Sequence, residues 1–254
     1  MTRDLTAFDL ASAMQGLYET DAYYVSLPPG ETSYEENYWG DVVDPDGVRR
    51  DRTTEREAHL SNLAHELEFI SSLPTGRVLD VGCGLGWLLS ALDDNWDKHG
   101  VEISDFAAEH ARNHAEIFNG ALLDYPSLTE PFDLIVMHHV IEHMLDPPAN
   151  IRKALELLKP GGRLLLATPD FDSGCARRFG SNYRLLHDPT HVSLFSSDSM
   201  HRMLRENKLS ILQVDYPFFE TAYFSKEHLI RLFDTKSVSP PFYGNFMTFY
   251  CQKP

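Results

Sequence analysis

The sequence predicts an α/β protein with a Rossmann-like, seven-stranded, mostly parallel sheet that carries helices on both faces. Short apolar runs alternate with helical patterns from residue 54 onward, which is typical of a parallel sheet covered on both sides. The first apolar run, 78–81, is followed at once by three glycines and then by a helical pattern at 87–92. A strand, a glycine turn and a helix in this order form a nucleotide-binding crevice.

Seven segments have the composition of buried strands. In chain order they are 78–81, 98–103, 117–122, 132–137, 163–168, 209–214 and 246–251. The pattern is clearest at 132–137 and weakest at 117–122.

Helix-starting residues precede most of the helical patterns. Thr54-Glu-Arg-Glu57 predicts a capping box before an apolar stripe at 60–70. Ser104 is expected to cap the next helix, and Asp146 followed by Pro147 predicts the start of another. The Ser196-Ser-Asp-Ser cluster opens a further helix, and a short one is predicted at 226–233.

Two regions lie outside this alternation. Residues 1–53 are polar and aromatic and are interpreted as a cap over the 54–254 domain, or as a loosely attached arm. Residues 216–244 form an insertion before the last strand. Aromatic side chains of both regions are expected to shape a pocket, or to pack the cap itself; they are Tyr34, Tyr38, Trp39, Phe218, Phe219, Tyr223 and Phe224.

Composition limits the classes of partner and compartment. The formal net charge is −16, from 38 acidic and 22 basic side chains, so a nucleic-acid partner is not expected, because phosphate binding needs clustered Lys and Arg. The three cysteines have neither disulfide nor metal spacing. No signal peptide and no run of ~18–20 apolar residues is evident. We therefore expect a cytoplasmic protein without a membrane partner; the oligomeric state is not predicted.

The glycine turn favours a ligand with a positive charge. Its pattern is Gly-x-Gly-x-Gly rather than the Gly-x-Gly-x-x-Gly that positions a pyrophosphate. Asp80, directly before it, is poorly placed for a diphosphate and well placed for a cation. Glu102 ends the second strand 20 residues beyond Gly82, where a carboxylate binds ribose hydroxyls.

Three motifs together resemble one enzyme family. Leu79-Asp-Val-Gly-Cys-Gly-Leu-Gly86 resembles motif I of class I S-adenosylmethionine-dependent methyltransferases. Residues 132–147 and 158–169 are similar to the fourth- and fifth-strand motifs of small-molecule members, especially the ubiquinone-pathway O-methyltransferases. The resemblance implies S-adenosylmethionine as cofactor, with S-adenosylhomocysteine as product. It also implies a small-molecule acceptor methylated at oxygen, nitrogen or carbon.

The resemblance also implies a set of cofactor-binding residues. Asp80 and Gly82 are assigned to the amino-acid part and His138 to the methionine end. Cys83 is also counted as cofactor-binding, and Gly84 would let backbone approach the same ligand. Glu102 is assigned to the ribose and Ile103 to the adenine face. The acid that reads the adenine amino group in many relatives would fall at Ala121 or Leu122, so backbone near Leu122 is expected to take its place.

Three histidines are candidates for a general base. His191 lies in a Pro-x-His segment after the fifth strand and is the first choice, since imidazole titrates near neutrality; it could instead tie down its loop. His139 and His143 belong to His139-Val-Ile-Glu142-His143, which matches a zinc-hydrolase pattern. That run is too short for a zinc helix and lacks an obvious third ligand. Ubiquinone-pathway relatives can hold a divalent ion at this segment, but they have a Glu at the position of His139. Because this chain has a histidine there instead, no metal is expected.

Two other functions remain open at this point. An NAD-dependent oxidoreductase would use the same kind of crevice, although the glycine spacing counts against it. A non-catalytic protein that binds S-adenosylmethionine would keep the same glycine turn.

Overall fold

The computed structural model describes residues 8–30, 34, 36–40, 42–43, 49–127, 130–217, 225–241 and 245–254. All structural statements below concern these residues. The aromatic residues Phe218, Phe219, Tyr223 and Phe224, expected to shape a pocket, lie outside them.

The helices and strands alternate through most of the described chain. The helices are α1 Leu10–Glu19, α2 Glu36–Gly40, α3 Arg56–Asn62, α4 Ala64–Ser71, α5 Trp87–Ala91, α6 Asp105–Ala111, α7 Pro147–Leu157, α8 Gly174–Phe179, α9 Ser197–Glu206 and α10 Lys226–Arg231. The strands are β1 Val25–Ser26, β2 Val42–Val43, β3 Arg49–Arg50, β4 Arg77–Val81, β5 Asp97–Glu102, β6 Glu116–Asn119, β7 Phe132–His138, β8 Leu158–Pro169, β9 Ser193–Leu194, β10 Ser210–Asp215 and β11 Phe246–Gln252.

Seven strands form the central sheet in the order β10-β11-β8-β7-β4-β5-β6. Strands β4 to β8 are parallel, and β11 runs antiparallel to both of its neighbours. This confirms the predicted mostly parallel sheet. The chain order reverses between β4 and β7, and a crevice opens at the carboxyl ends of strands at such a point.

Both faces of the sheet are buried, which explains the continuous apolar runs in the sequence. Leu79 and Ile135 belong to the hydrophobic cluster on one face, whereas Val78 and Leu134 belong to the cluster on the other. Because successive strand residues point to opposite faces, a strand covered on both sides must be apolar throughout. The two clusters therefore hold the ends of β4 and β7 rigidly in place.

The predicted capping box at Thr54 is wrong. The hydroxyl of Thr54 donates to the carbonyl of Asp51 at 3.0 Å instead of capping a helix. Helix α3 begins at Arg56, and Glu55 at its N-cap makes no side-chain cap bond. A turn at 51–54 has used the Thr54 hydroxyl, so the helix starts later than its sequence signal indicates.

The chain before residue 30 packs on the segment that follows β8. Leu10, Met14 and Leu17 of α1 share a hydrophobic cluster with Phe171 and Tyr183. Strand β1 pairs with β9 in antiparallel fashion. These contacts fix residues 8–30 beside the carboxyl edge of the sheet.

None of the described helices reaches the length and apolar character that a bilayer crossing requires.

Gly86 provides a test of the tight packing around the glycine turn. It has φ +79°, and a Cβ there would come within 2.9 Å of the Ala111 Cα atom. A left-handed conformation costs a non-glycine residue ~1–2 kcal/mol, and displacing backbone costs more. We expect Gly86→Ala to lower the free energy of unfolding by ~2–4 kcal/mol, measured by urea denaturation.

Gly16 is the matched control, because it lies within α1 and a Cβ there would meet nothing within 4 Å. Gly16→Ala should raise stability by ~0.5–1 kcal/mol. Equal effects of the two substitutions would contradict the steric argument.

Candidate active site

A cavity of about 420 Å³ lies at the carboxyl ends of β4 and β7. Its walls come from the glycine turn, α3 and α4, the turn after β7, residues 184–191, and the start of β11. Tyr38, Trp39 and Arg52 close it from the N-terminal side. The carboxyl edge of the parallel strands thus gathers segments that are far apart in sequence.

The glycine turn is hydrogen-bonded to β5 and covered by the side chain of Trp39. The N–H groups of Gly82 and Cys83 donate to the Val101 carbonyl at 2.8 and 3.1 Å, which ties the turn to β5. A Cβ on Gly84 would lie 2.9 Å from the Trp39 ring. The indole N–H of Trp39 donates to Ser104 Oγ at 3.3 Å. Because Gly84 carries no side chain, the indole can pack directly on the backbone of the turn.

Asp80 is a buried carboxyl that no cationic side chain of the described residues compensates. It is only 4% exposed, lines the cavity, and has no hydrogen-bond partner among the described residues. Burial, aided by the charge of Glu102, raises the pKa of Asp80 to about 8. An uncompensated carboxyl beside a cavity is suited to a positively charged ligand, which would restore its ordinary acidity.

Glu102 is already engaged by the backbone. One of its carboxyl oxygens accepts from the N–H of Gly84 at 2.9 Å, and the other accepts from Ser104 at 2.8 Å. Burial raises the pKa of Glu102, and these hydrogen bonds oppose that rise. Each oxygen keeps a second lone pair, so the predicted contact with ribose hydroxyls stays chemically open.

The predicted cofactor residues fall into two groups. Asp80, Gly82, Cys83, Gly84 and His138 line the cavity. Glu102, Ile103 and Leu122 are not among its lining residues. Ile103 is 55% exposed, whereas Leu122 is buried in the core within a single 3₁₀ turn. The adenine-side assignments therefore stay predictions.

His138, at the end of β7, lies close to Glu66, an acidic residue that the sequence analysis did not identify. Its Nε2 lies 4.0 Å from Oε1 of Glu66 on α4. Burial, with the charges of His139 and His59, holds the pKa of His138 well below its usual range. Glu66 is 6% exposed and accepts a hydrogen bond from Thr248 at 3.0 Å. It stands on the apolar stripe of its helix, and that position is the signal that could have found it.

His139 and Glu142 form a hydrogen-bonded dyad at the cavity wall. Nδ1 of His139 lies 3.3 Å from Oε1 of Glu142, while Oε2 accepts from the Thr168 hydroxyl at 3.0 Å. Burial alone would raise the pKa of Glu142. The His139 hydrogen bond and the charges of neighbouring histidines outweigh burial and lower it to about 2. His139 has φ +52°, a conformation uncommon outside glycine, and such residues cluster at active sites.

His143 and His191 meet on the same wall, with ring centroids 4.9 Å apart. Nδ1 of His143 lies 3.1 Å from the Thr190 carbonyl, and Nδ1 of His191 lies 2.6 Å from the Leu185 carbonyl. His191 is only 4% exposed. All three histidines predicted as bases therefore share one cavity.

Sequence reasoning missed the polar residues on the far side of the cavity. Asn245 is fully buried, and neither side-chain amide atom has a hydrogen-bond partner within the described ranges. The Arg52 guanidinium lies 4.6 Å from the centroid of the Tyr38 ring. Asn245 directly precedes β11, and only the antiparallel direction of that strand brings its start to this edge. No local pattern reveals that direction.

Comparison with known proteins identifies the fold and the family. A family model described as "Methyltransferase domain" matches residues 53–214. A phosphoethanolamine N-methyltransferase of Triticum aestivum is 36% identical over 112 residues, which are 39% of this chain and 22% of that protein. A ubiquinone biosynthesis O-methyltransferase of Coxiella burnetii is 39% identical over 104 residues, which are 36% of this chain and 43% of that protein. The matches thus span less than half the length of these curated relatives.

A solved structure has the same fold. It is that of a SAM-dependent methyltransferase from Thermotoga maritima, with a TM-score of 0.59 and 24% identity; the alignment covers 79% of this chain and 91% of that one.

The buried carboxyl of Asp80 makes stability depend on pH. Its pKa is raised from 3.8 to about 8, so the folded state binds a proton that the unfolded state releases, and stability falls as pH rises between these values. In the ligand-free protein, the stability of Asp80→Asn relative to wild type should therefore grow by ~2–4 kcal/mol from pH 5 to pH 8.5. Urea unfolding at the two pH values measures it.

The exposed Asp94→Asn is the control, and its difference from wild type should stay constant with pH. A pH-independent effect of Asp80→Asn would show that this carboxyl is not buried as described.

Proposed function

The chain belongs to the methyltransferase-domain family, and we propose that it transfers the methyl group of S-adenosylmethionine to an oxygen, nitrogen or carbon atom of a small molecule. The observation that carries this proposal is the cavity itself, in which a glycine turn and an uncompensated buried carboxyl face a group of histidines. S-adenosylmethionine brings a sulfonium methyl that is already a strong electrophile, so the protein mainly has to position a nucleophile against it.

The cofactor-side residues fit a cationic amino-acid group. Asp80 lines the cavity without a partner among the described residues, and a ligand ammonium beside it would hold it ionised. Gly82 and Gly84, which have only backbone atoms, line the same cavity together with Cys83. His138 lies at the methionine end, and Glu102 meets the ribose through its remaining lone pairs. Ile103 and backbone near Leu122 then contact the adenine at the outer end of β5 and β6.

His139 is the general base that the geometry favours for an acceptor that must lose a proton. Glu142 holds Nδ1 of His139, so the proton resides there and Nε2 keeps the lone pair. No described residue bonds to that Nε2. His191 was the first choice from the sequence, but it is almost fully buried. We therefore assign proton abstraction to His139 and not to His191.

The acceptor side combines aromatic and polar walls. Tyr38, Trp39 and Phe246 line it together with Asn245 and Arg52. Aromatic rings suit a planar or apolar acceptor, and the unpartnered amide of Asn245 suits a polar group on it. The described residues before α3 contribute Tyr38 and Trp39 to this wall, and the described part of the 216–244 range contributes Pro217 and Pro241. These contacts support a cap role for the 1–53 region and an acceptor role for the 216–244 region.

Net charge and cysteine chemistry support two further parts of the proposal, the class of acceptor and the cellular compartment. The net charge of −16 does not favour a nucleic-acid acceptor. The three cysteines are buried, unpaired thiols, as expected in a reducing compartment such as the cytoplasm.

Methyl transfer can be tested together with the identity of the acceptor. Purified protein, methyl-labelled S-adenosylmethionine and a metabolite extract should yield a labelled small molecule and S-adenosylhomocysteine. Calorimetric titrations with S-adenosylhomocysteine and with NADH accompany the assay. Selective NADH binding would favour the oxidoreductase alternative, whereas tight S-adenosylhomocysteine binding without transfer would favour a non-catalytic binding protein.

The role of His139 predicts a separation of turnover from cofactor affinity. With the labelled acceptor, His139→Gln should lower kcat ~10²–10⁴-fold, because proton abstraction is lost. Affinity for S-adenosylhomocysteine should change less than about threefold, since His139 does not hold the cofactor in this scheme. The exposed His110→Gln on α6 is the control and should match wild type. An unchanged kcat in His139→Gln would remove His139 from proton transfer.

A further inference from the structure

The indole of Trp39 covers the two residues that hold the carboxyl group of Glu102. The ring packs on Gly84, where a Cβ would come within 2.9 Å of the indole Cη2 atom. Its Nε1 donates to Ser104 Oγ at 3.3 Å. Gly84 and Ser104 are also the residues whose backbone N–H groups donate to the two carboxyl oxygens of Glu102, at 2.9 and 2.8 Å. The ring therefore spans the backbone on both sides of this carboxyl group.

The space between the ring and Gly84 is too small for a ligand atom. A carbon atom needs ~3.5–4.0 Å to each non-bonded neighbour, and the indole is already in contact with the Gly84 backbone. Glu102 is 6% exposed and is not among the residues that line the cavity, whereas Asp80 and Trp39 are. This conformation thus leaves the amino-acid half of the crevice open and blocks the approach to the carboxyl group assigned to the ribose.

Trp39 is held in place by further contacts within the chain before α3. Its carbonyl accepts from the N–H of Arg52 at 2.8 Å, and its Nε1 also lies 3.2 Å from the Tyr34 carbonyl. The Arg52 guanidinium covers the Tyr38 ring, and that ring packs edge-on against Tyr34. Helix α2 has five residues, and the neighbouring strands β2 and β3 pair with each other in a separate sheet. The segment can therefore move away from the crevice without breaking a strand pair of the central sheet.

We propose that Trp39 is an autoinhibitory residue, which occupies the ribose side of the crevice and competes with the nucleoside part of the cofactor. The inference rests on the proposed S-adenosylmethionine site and adds a closed state that the cofactor has to displace. Contact between the indole and the turn buries apolar area, which favours the closed state when no ligand is bound. A ligand that binds only the open state has its affinity reduced by the open fraction of the protein.

Removing the indole should therefore strengthen nucleoside binding. Calorimetry with S-adenosylhomocysteine and with adenosine, on the full-length wild type and on Trp39→Ala, measures the effect. We expect dissociation constants about tenfold lower in Trp39→Ala, which corresponds to a wild type that is open for about one-tenth of the time. Surface plasmon resonance should show this gain in the association rate constant, with the dissociation rate constant unchanged, because the substitution acts on the closed state.

Trp39→Phe and Glu36→Ala are the comparison variants. Phenylalanine keeps an aromatic ring over Gly84 but cannot donate to Ser104, so Trp39→Phe should bind both ligands about threefold more tightly than wild type, as the loss of one hydrogen bond implies. Glu36 is exposed on the same short helix, and Glu36→Ala should bind like wild type. Thermal unfolding of each variant verifies that it is folded.

Weaker binding and faster dissociation in Trp39→Ala or Trp39→Phe would show that the ring stacks on the ligand, and would overturn the autoinhibitory role. Affinities equal to that of the wild type in both variants would overturn it as well. Either result leaves the proposed methyl transfer standing, because the cofactor product still binds. If none of the proteins binds S-adenosylhomocysteine or adenosine, the cofactor site itself is refuted, and the proposed function is refuted together with this inference.

Discussion

One physical constraint governs the cavity. Ionisable side chains are buried in it, and burial opposes their charged forms unless a ligand of opposite charge is bound. Asp80 is the extreme case: it is 4% exposed near the end of β4, and among the described residues no cationic side chain compensates its charge. Ionising such a group costs several kcal/mol, as its displaced pKa indicates. The two hydrophobic clusters on either side of β4 and β7 provide the stability that makes this tolerable. The protein thus keeps a site that favours a positive ligand at the expense of its own stability.

The fold and the glycine turn could be predicted because their signals are local. A strand buried on both faces is a continuous apolar run, and Gly82, Gly84 and Gly86 follow it within five residues. Each has a positive φ, so the spacing of the glycines encodes the turn. The capping box predicted at Thr54 is also a local signal, but it is wrong because a turn at 51–54 uses the Thr54 hydroxyl instead.

The cavity wall formed by Asn245, His143 and His191 could not be predicted in this way, because tertiary contacts create it. Asn245 reaches the cavity only through the antiparallel direction of β11, and His191 meets His143 only through the loop before β9. Glu66 is partly predictable. An acidic residue on the apolar stripe of a helix can be recognised in the sequence, but its role depends on what that helix packs against. The matched relatives carry both N- and O-methyltransferase names, which agrees with a shared crevice and divergent additions around it.

The indole of Trp39 rests directly on the backbone of Gly84, and Trp87 lines the same cavity. The third tryptophan, Trp96, is buried in a hydrophobic cluster and is not among the cavity-lining residues. Two of the three tryptophans of the chain therefore line or cover the cavity. A ligand that occupies the glycine turn beneath Trp39 would contact or displace that ring, so the emission of the unlabelled protein would report whether the crevice is filled.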